Sequence, residues 1–196
     1  MRRLRYQHMD RTPSSRVDNH GALVDRGANG GICGHDVRLI SKSPWTVTAR
    51  GLDHQEILNV PLVAAGGAVT MSSGDAIAIM HQHAHLTQER TIHSCGQMEH
   101  NGLHACDKSV IVGGKQRIQT QDGHYKPLCI RDGPPHMAIR PFTDLEWETL
   151  PHIELTEAAD GTHNLWSPTS IDHEHPTTLV SVNGGIIVYC PNMHVQ

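Results

Sequence analysis

Ala22-Leu23-Val24-Asp25-Arg26-Gly27-Ala28-Asn29-Gly30-Gly31 runs three aliphatic residues into an aspartate and then into a glycine-rich segment. Aliphatic and β-branched side chains favour extended backbone, and Asp with Gly is turn chemistry, so the stretch reads as a short strand that ends at Asp25 and reverses at once. The pattern recurs on either side. Further strands are expected at Asp36–Ile40, Trp45–Ala49, Ile57–Val63, Ala68–Met71, Ala76–Met80, Thr91–His93, Ser109–Val112, Arg117–Thr120 and Tyr125–Ile130. Many short strands separated by turns specify a mostly β body.

Punctuation between the strands adds detail. Ser72-Ser73-Gly74-Asp75 reads as a hairpin turn. Phe142–Leu150 follows Pro141 and reads as a short helix with Thr143 as its N-cap. Asn183-Gly184, between Thr178–Val182 and Ile186–Tyr189, is the strongest hairpin signal in the chain. The expected organisation is a flexible basic arm over 1–16, a β domain over 17–137, and a C-terminal extension over 138–196 that carries the short helix and the terminal β-hairpin. Glu157 to Pro176, within that extension, is polar, His-rich and irregular.

Bulk properties restrict the function. With 196 residues the chain holds one domain of ordinary size plus a tail. Only 4% of residues are aromatic and Phe142 is the single Phe, so the core must rest on Val, Ile, Leu and Ala and the stability is expected to be modest. A formal charge of −4 gives no long-range attraction to nucleic acid or to an acidic membrane. The 17 His would turn that charge strongly positive on full protonation, so acid is expected to strain the fold. Five widely spaced Cys without a Cys-x-x-Cys pair argue against a disulfide framework or zinc ribbon. The N-terminus lacks the apolar stretch of a secretory signal, and the apolar region from Val60 to Met71 is interrupted by Pro61, Gly66 and Gly67. A soluble intracellular protein is expected.

An aspartate at the end of an apolar strand, followed by x-Gly-Ala, is either an ordinary strand with a glycine turn or one half of a two-carboxylate site. Two such carboxylates facing each other across one water titrate apart, so that one is protonated while the other acts as general base. The stretch from Leu23 through Gly34-His35-Asp36-Val37-Arg38 resembles the retropepsin-like aspartic protease segments of copia-type retroelement polyproteins, in which the turn is Asp-Ser-Gly-Ala-Asn-Gly-Gly. Similar stretches are Gly51-Leu52-Asp53-His54-Gln55, Ala64-Ala65-Gly66-Gly67, Ile77 to Gln82, Thr91-Ile92-His93-Ser94, Val112 to Ile118, and Arg140-Pro141-Phe142-Thr143-Asp144, together spanning about 17–155. The resemblance implies a small retropepsin-like half barrel and an aspartic endopeptidase with a polypeptide substrate and no cofactor. It implies Asp25 as the carboxylate, with Arg26, Gly27 and Ala28 shaping its loop. Residues 66–80, with Gly66, Gly67, Ser73 and Gly74, would form the flap over a bound peptide strand. A second Asp-x-Gly turn is missing, because Asp122-Gly123, Asp132-Gly133 and Asp160-Gly161 place Gly directly after Asp. The other half of the site would come from a second copy of the chain around a two-fold axis. Arg26 departs from the pattern where a hydroxyl residue is expected, Pro134 where similar segments carry Leu, and His83 and His124 where they carry Tyr. A guanidinium beside Asp25 would oppose the shared proton and repel its mate across the two-fold, so inactivity is expected.

The histidines support a rival assignment, a non-catalytic His-rich metal-binding or structural module. His81, His83 and His85 alternate and would share one face of a strand. His93-Ser94-Cys95 and His104-Ala105-Cys106 add four more donors, but none of these spacings matches a standard zinc site. Val112-Gly113-Gly114-Lys115 lacks both the upstream Gly and the following Ser or Thr of a phosphate loop, and neither His-Glu-x-x-His nor Gly-x-Ser-x-Gly occurs.

Overall fold

A computed structural model describes residues 21–51, 56–87, 89–156 and 186–190, the last by backbone only. In chain order the elements are β1 (Ala22–Asp25), β2 (Ile32–Cys33), β3 (Arg38–Gly51), β4 (Glu56–Met71), β5 (Gly74–His85), β6 (Ile92–Ser94), α1 (Cys95–His100), β7 (His104–Cys106), β8 (Arg117–Gln119), β9 (Tyr125–Pro127), β10 (Cys129–Ile130), β11 (Pro135–Met137), α2 (Asp144–Thr149), β12 (His152–Glu154) and β13 (Ile186–Cys190). The protein is mostly β. One large sheet has the order β10-β11-β1-β6-β2-β5-β4-β3-β13, with β12 also on β5, and β7-β8-β9 form a second sheet. Among the described residues the large sheet stays open, with β10 and β13 at its ends, and no closed barrel is found.

β3, β4 and β5 form an antiparallel meander of long strands. Ala76 to Met80 is apolar without alternation because β5 is buried on both faces. Ala76, Ala78 and Met80 enter the main core, whereas Ile77 and Ile79 pack with Ala68 and Phe142, flanked by Trp147 and Leu150. Each such isoleucine contributes about 1.5–3 kcal/mol on burial. Gly66 and Gly67 lie inside β4, so Ile57–Val63 and Ala68–Met71 are one strand rather than two. The reason is packing: a Cβ on Gly67 would meet Ile139 at 2.3 Å, and one on Gly66 would meet Phe142 and Ile40 at 3.1 Å. Asp36–Ile40 and Trp45–Ala49 likewise merge into β3, whose irregular register against β4 absorbs the interruption between them.

Ser109–Val112 is not a strand. Val110–Val112 is a 3-10 turn, because the Ser109 hydroxyl takes the Ile111 N–H at 3.2 Å and Gly113 turns left-handed at φ +80°. Its three apolar side chains are exposed. The β4–β5 hairpin forms at Ser72-Ser73 as expected, with Met71 opposite Gly74. α2 starts at its expected N-cap, Thr143. β11 pairs with β1 and β12 runs parallel to β5. The 1–16 arm, the 157–176 stretch, Thr178–Val182 and the Asn183-Gly184 turn lie outside the described residues. The downstream strand of that expected hairpin, β13, runs parallel beside β3.

Candidate functional site

Asp25 closes β1, flanked by β6 in parallel and β11 antiparallel, with Asp25 in register with Ser94. One carboxylate oxygen accepts the Gly27 N–H at 2.8 Å, and this local bond turns the chain. The other, Oδ2, is buried without a hydrogen-bond partner. Ala28 and Gly30 are buried under the turn, while Arg26 and Gly27 are exposed.

The turn is braced by α1, which was not among the expected elements. Ser94 is the N-cap of α1: its hydroxyl accepts the Gln97 N–H at 3.2 Å and donates to the Ala28 carbonyl at 2.6 Å. Gln97 accepts the Gly31 N–H at 2.9 Å, and Gly31 in turn accepts the Ala84 N–H at 2.9 Å. Ser94 and Gln97 are both buried, so each bond replaces a solvation the backbone has lost. The signal in the sequence is Ser-x-x-Gln, a helix-start signature over Ser94–Gln97.

Arg26 does not sit on Asp25. Its two terminal nitrogens bind the Glu99 carboxylate at 3.0 Å each, Nε reaches Asp107 at 3.3 Å, and one terminal nitrogen donates to the Ala105 carbonyl at 2.8 Å. The hydrogen bonds to Glu99 raise the guanidinium pKa further above its usual value. The charge at position 26 is paired with Glu99 and Asp107 within the chain, not with Asp25. A carboxylate pair on α1 and beyond β7 offers better geometry than a carboxylate already bonded to its own turn. Beside this cluster the buried Cys95 thiol is pushed up to about 12, mainly by burial, with Arg26 partly opposing, so it is no nucleophile at neutral pH.

The other predicted residues are placed apart from this turn. Gly66 and Gly67 are buried mid-strand, packed as described. Ser73 and Gly74 are exposed at the hairpin tip, which is tied to β9: Ser72 N–H donates to the Tyr125 carbonyl at 2.7 Å, and Tyr125 N–H to the Ser72 hydroxyl at 2.9 Å. His81, His83 and His85 do not share a face cleanly. The register slips between Val63 and Ala65, and Gln82 takes φ +57°, so the two-residue alternation breaks there. His83 is fully buried; His81 and His85 are half-buried. Among the described residues no group of three or more His, Cys, Asp or Glu is arranged to hold a metal ion.

His83 and His93 instead form a buried pair, edge to face with ring centroids 5.9 Å apart. Burial pushes His83 down to about 4 and His93 to about 3, so both are neutral at physiological pH. A cleft of about 280 Å³ between the end of α1, the β8–β9 turn and β12 is lined by Asn101, Asp122, His124, His152 and Glu154 among others, none from the Asp25 turn. Among the described residues no helix is long and apolar enough to cross a membrane. Comparison with family models, curated proteins and solved structures finds no match.

Proposed function

We propose that the chain is a retroelement-derived aspartic endopeptidase-like domain, a retropepsin-like half barrel that supplies one carboxylate, Asp25, to a homodimeric site. The observation that carries this is the state of Asp25: one oxygen spent on the Gly27 N–H, the other unbonded, at a strand end braced by Ser94 and Gln97. In a two-fold pair the unbonded oxygens would share one proton. The ionised carboxylate takes a proton from the attacking water as the protonated one donates to the peptide carbonyl oxygen. Position 26 is where this copy falls short. Arg26 carries no hydroxyl to link the two turns, and its side chain is held by Glu99 and Asp107, so activity is expected to be low or absent.

The second candidate, a non-catalytic structural module, is favoured by the tie between Ser72 and Tyr125, which pins the hairpin that would have to close over substrate. One experiment separates the two. The chain, an Arg26→Ser version and an Arg26→Ser/Asp25→Asn control are assayed on a peptide library from acid to neutral pH, beside sedimentation to establish the dimer. Cleavage by the Ser version, abolished by Asn at position 25, supports the endopeptidase; silence from all three as folded dimers supports the structural module.

A further inference from the structure

Gly31 ends the Asp25 turn, and the sheet places it between the two buried imidazoles. β2 lies between β6 and β5, with Ile32 opposite Ile92 on one side and Ala84 on the other. One step back along the chain, Gly31 therefore faces His93 on antiparallel β6 and His83 on parallel β5. The missing side chain is what lets the rings meet: a Cβ on Gly31 would lie 2.1 Å from His83 Nε2. His83 Nδ1 contacts the His81 carbonyl at 3.1 Å, but His83 Nε2 and both nitrogens of His93 have no hydrogen-bond partner.

We propose that the His83–His93 pair is a proton-operated latch on the Asp25 turn, closed while both rings are neutral and opened by acid ahead of the rest of the fold. The geometry supplies the mechanism. A protonated imidazole needs acceptors for two N–H groups, and the pair has one carbonyl between four ring nitrogens. The buried Asp36 carboxylate accepts the Thr91 N–H at 3.0 Å and the Thr91 hydroxyl at 2.6 Å and acts on neither ring. Val24 faces His93 and Val63 faces His83 across the ladders, and Cys33 on β2 is a neutral thiol pushed up to about 12 by burial. Asp25 on β1 lies at the alternate position, in register with Ser94. Of the titratable groups, only His81 acts electrostatically on His83, and only His83 on His93; both interactions are repulsive once charged. Gly31 is packed against the His83 ring, and its N–H bond to Gln97 and its carbonyl bond from the Ala84 N–H hold the turn over the pair.

The sign follows from linkage. Each ring binds its proton more tightly when the turn is open, so opening is favoured as pH falls below about 6.5, by about 100-fold per histidine at pH 4.5. The latch does not depend on Asp25 cleaving anything. Amide hydrogen exchange followed by NMR, corrected for the intrinsic rate, tests it in the intact chain. Between pH 7 and 4.5 the Gly31 and Ala84 amides lose at least about 100-fold in protection, and at each pH they exchange faster than Ala68, bonded to Arg140, and Leu128, bonded to Gln116. A His83→Met/His93→Met version removes the difference between the two pH values. Protection at Gly31 as high as at Ala68 and Leu128, no loss at Gly31, or an unchanged response in the Met version overturns the proposal. Should that version fail to fold, the native chain decides: the ring Cε1–H titrations of His83 and His93 must share a midpoint with the loss of the Gly31 amide, and separate midpoints overturn it.

Discussion

The two helices begin with the same sequence signature and use it differently. At α2, Thr143 and Glu146 form a closed capping box: the Thr143 hydroxyl accepts the Glu146 N–H at 3.2 Å, and the Glu146 carboxylate accepts the Thr143 N–H at 2.8 Å. At α1, Ser94 and Gln97 start alike, but Gln97 turns away from the cap to hold Gly31, and Ser94 gives its proton to Ala28. One cap stabilises its own helix in solvent. The other is buried and stabilises a loop about 65 residues away in sequence, so its loss is expected to reach the Asp25 turn.

Acid should divide these regions most strongly. On the α1 side, His83 and His93 have folded pKa values below their ordinary one, so the unfolded chain binds more protons and stability is lost as pH falls through 6.5 toward about 3. For the pair this is on the order of 5 kcal/mol between pH 7 and 4.5. On the α2 side, Arg140 and the cap pull Glu146 down to about 2, and a depressed carboxylate keeps its contribution until pH falls below about 4.5. Urea unfolding at pH 7, 5.5 and 4.5 should therefore show most of the loss before Glu146 titrates. In the His83→Met/His93→Met version the loss over this range should shrink to a small remainder. If the two versions fall in parallel, the buried imidazoles do not set the acid sensitivity.

Next in size is Gly31→Ala. The added Cβ overlaps the His83 ring, which is walled in on every side, and strain of that kind costs about 3 kcal/mol or more. Gly133→Ala, at φ +112° with open space around it, should cost about 1 kcal/mol. Thermal unfolding ranks the pair; equal shifts would mean that Gly31 is conserving backbone freedom and not space for the ring.

The same contrast explains what the sequence disclosed. The strand into Asp25, the Ser72-Ser73 hairpin and α2 rest on local rules, namely alternation, turn residues and a cap in solvent, and those act wherever the residues occur. Gly66-Gly67 looked like a break because glycine's usual role is in turns, yet here Ile139 and Phe142 arrive from seventy residues downstream to fill the space. Arg26 was expected to disturb Asp25 because they are adjacent in sequence; Glu99 and Asp107, far away in sequence, capture it instead. His93 lay in one of the quoted stretches and His83 among the alternating histidines, but nothing local says that β2 slips between them with a glycine at the crossing point.

The smallest effects compare the two caps directly. Ser94→Ala removes a cap and leaves the buried Ala28 carbonyl without its donor, which should cost about 2 kcal/mol. Thr143→Ala removes an exposed cap and should cost about 1 kcal/mol. The distinguishing readout is where the loss appears. Thr143→Ala should raise exchange at Trp147 and Leu150, the amides bonded within α2, and leave Gly31 untouched. Ser94→Ala should expose Gly31 as well as the first turn of α1, because Gln97 can hold Gly31 only while its own backbone is fixed by Ser94. Equal and purely local effects from both substitutions would mean that Gln97 holds Gly31 without help from its cap, and that the α1 cap, like the α2 cap, serves only the helix it starts.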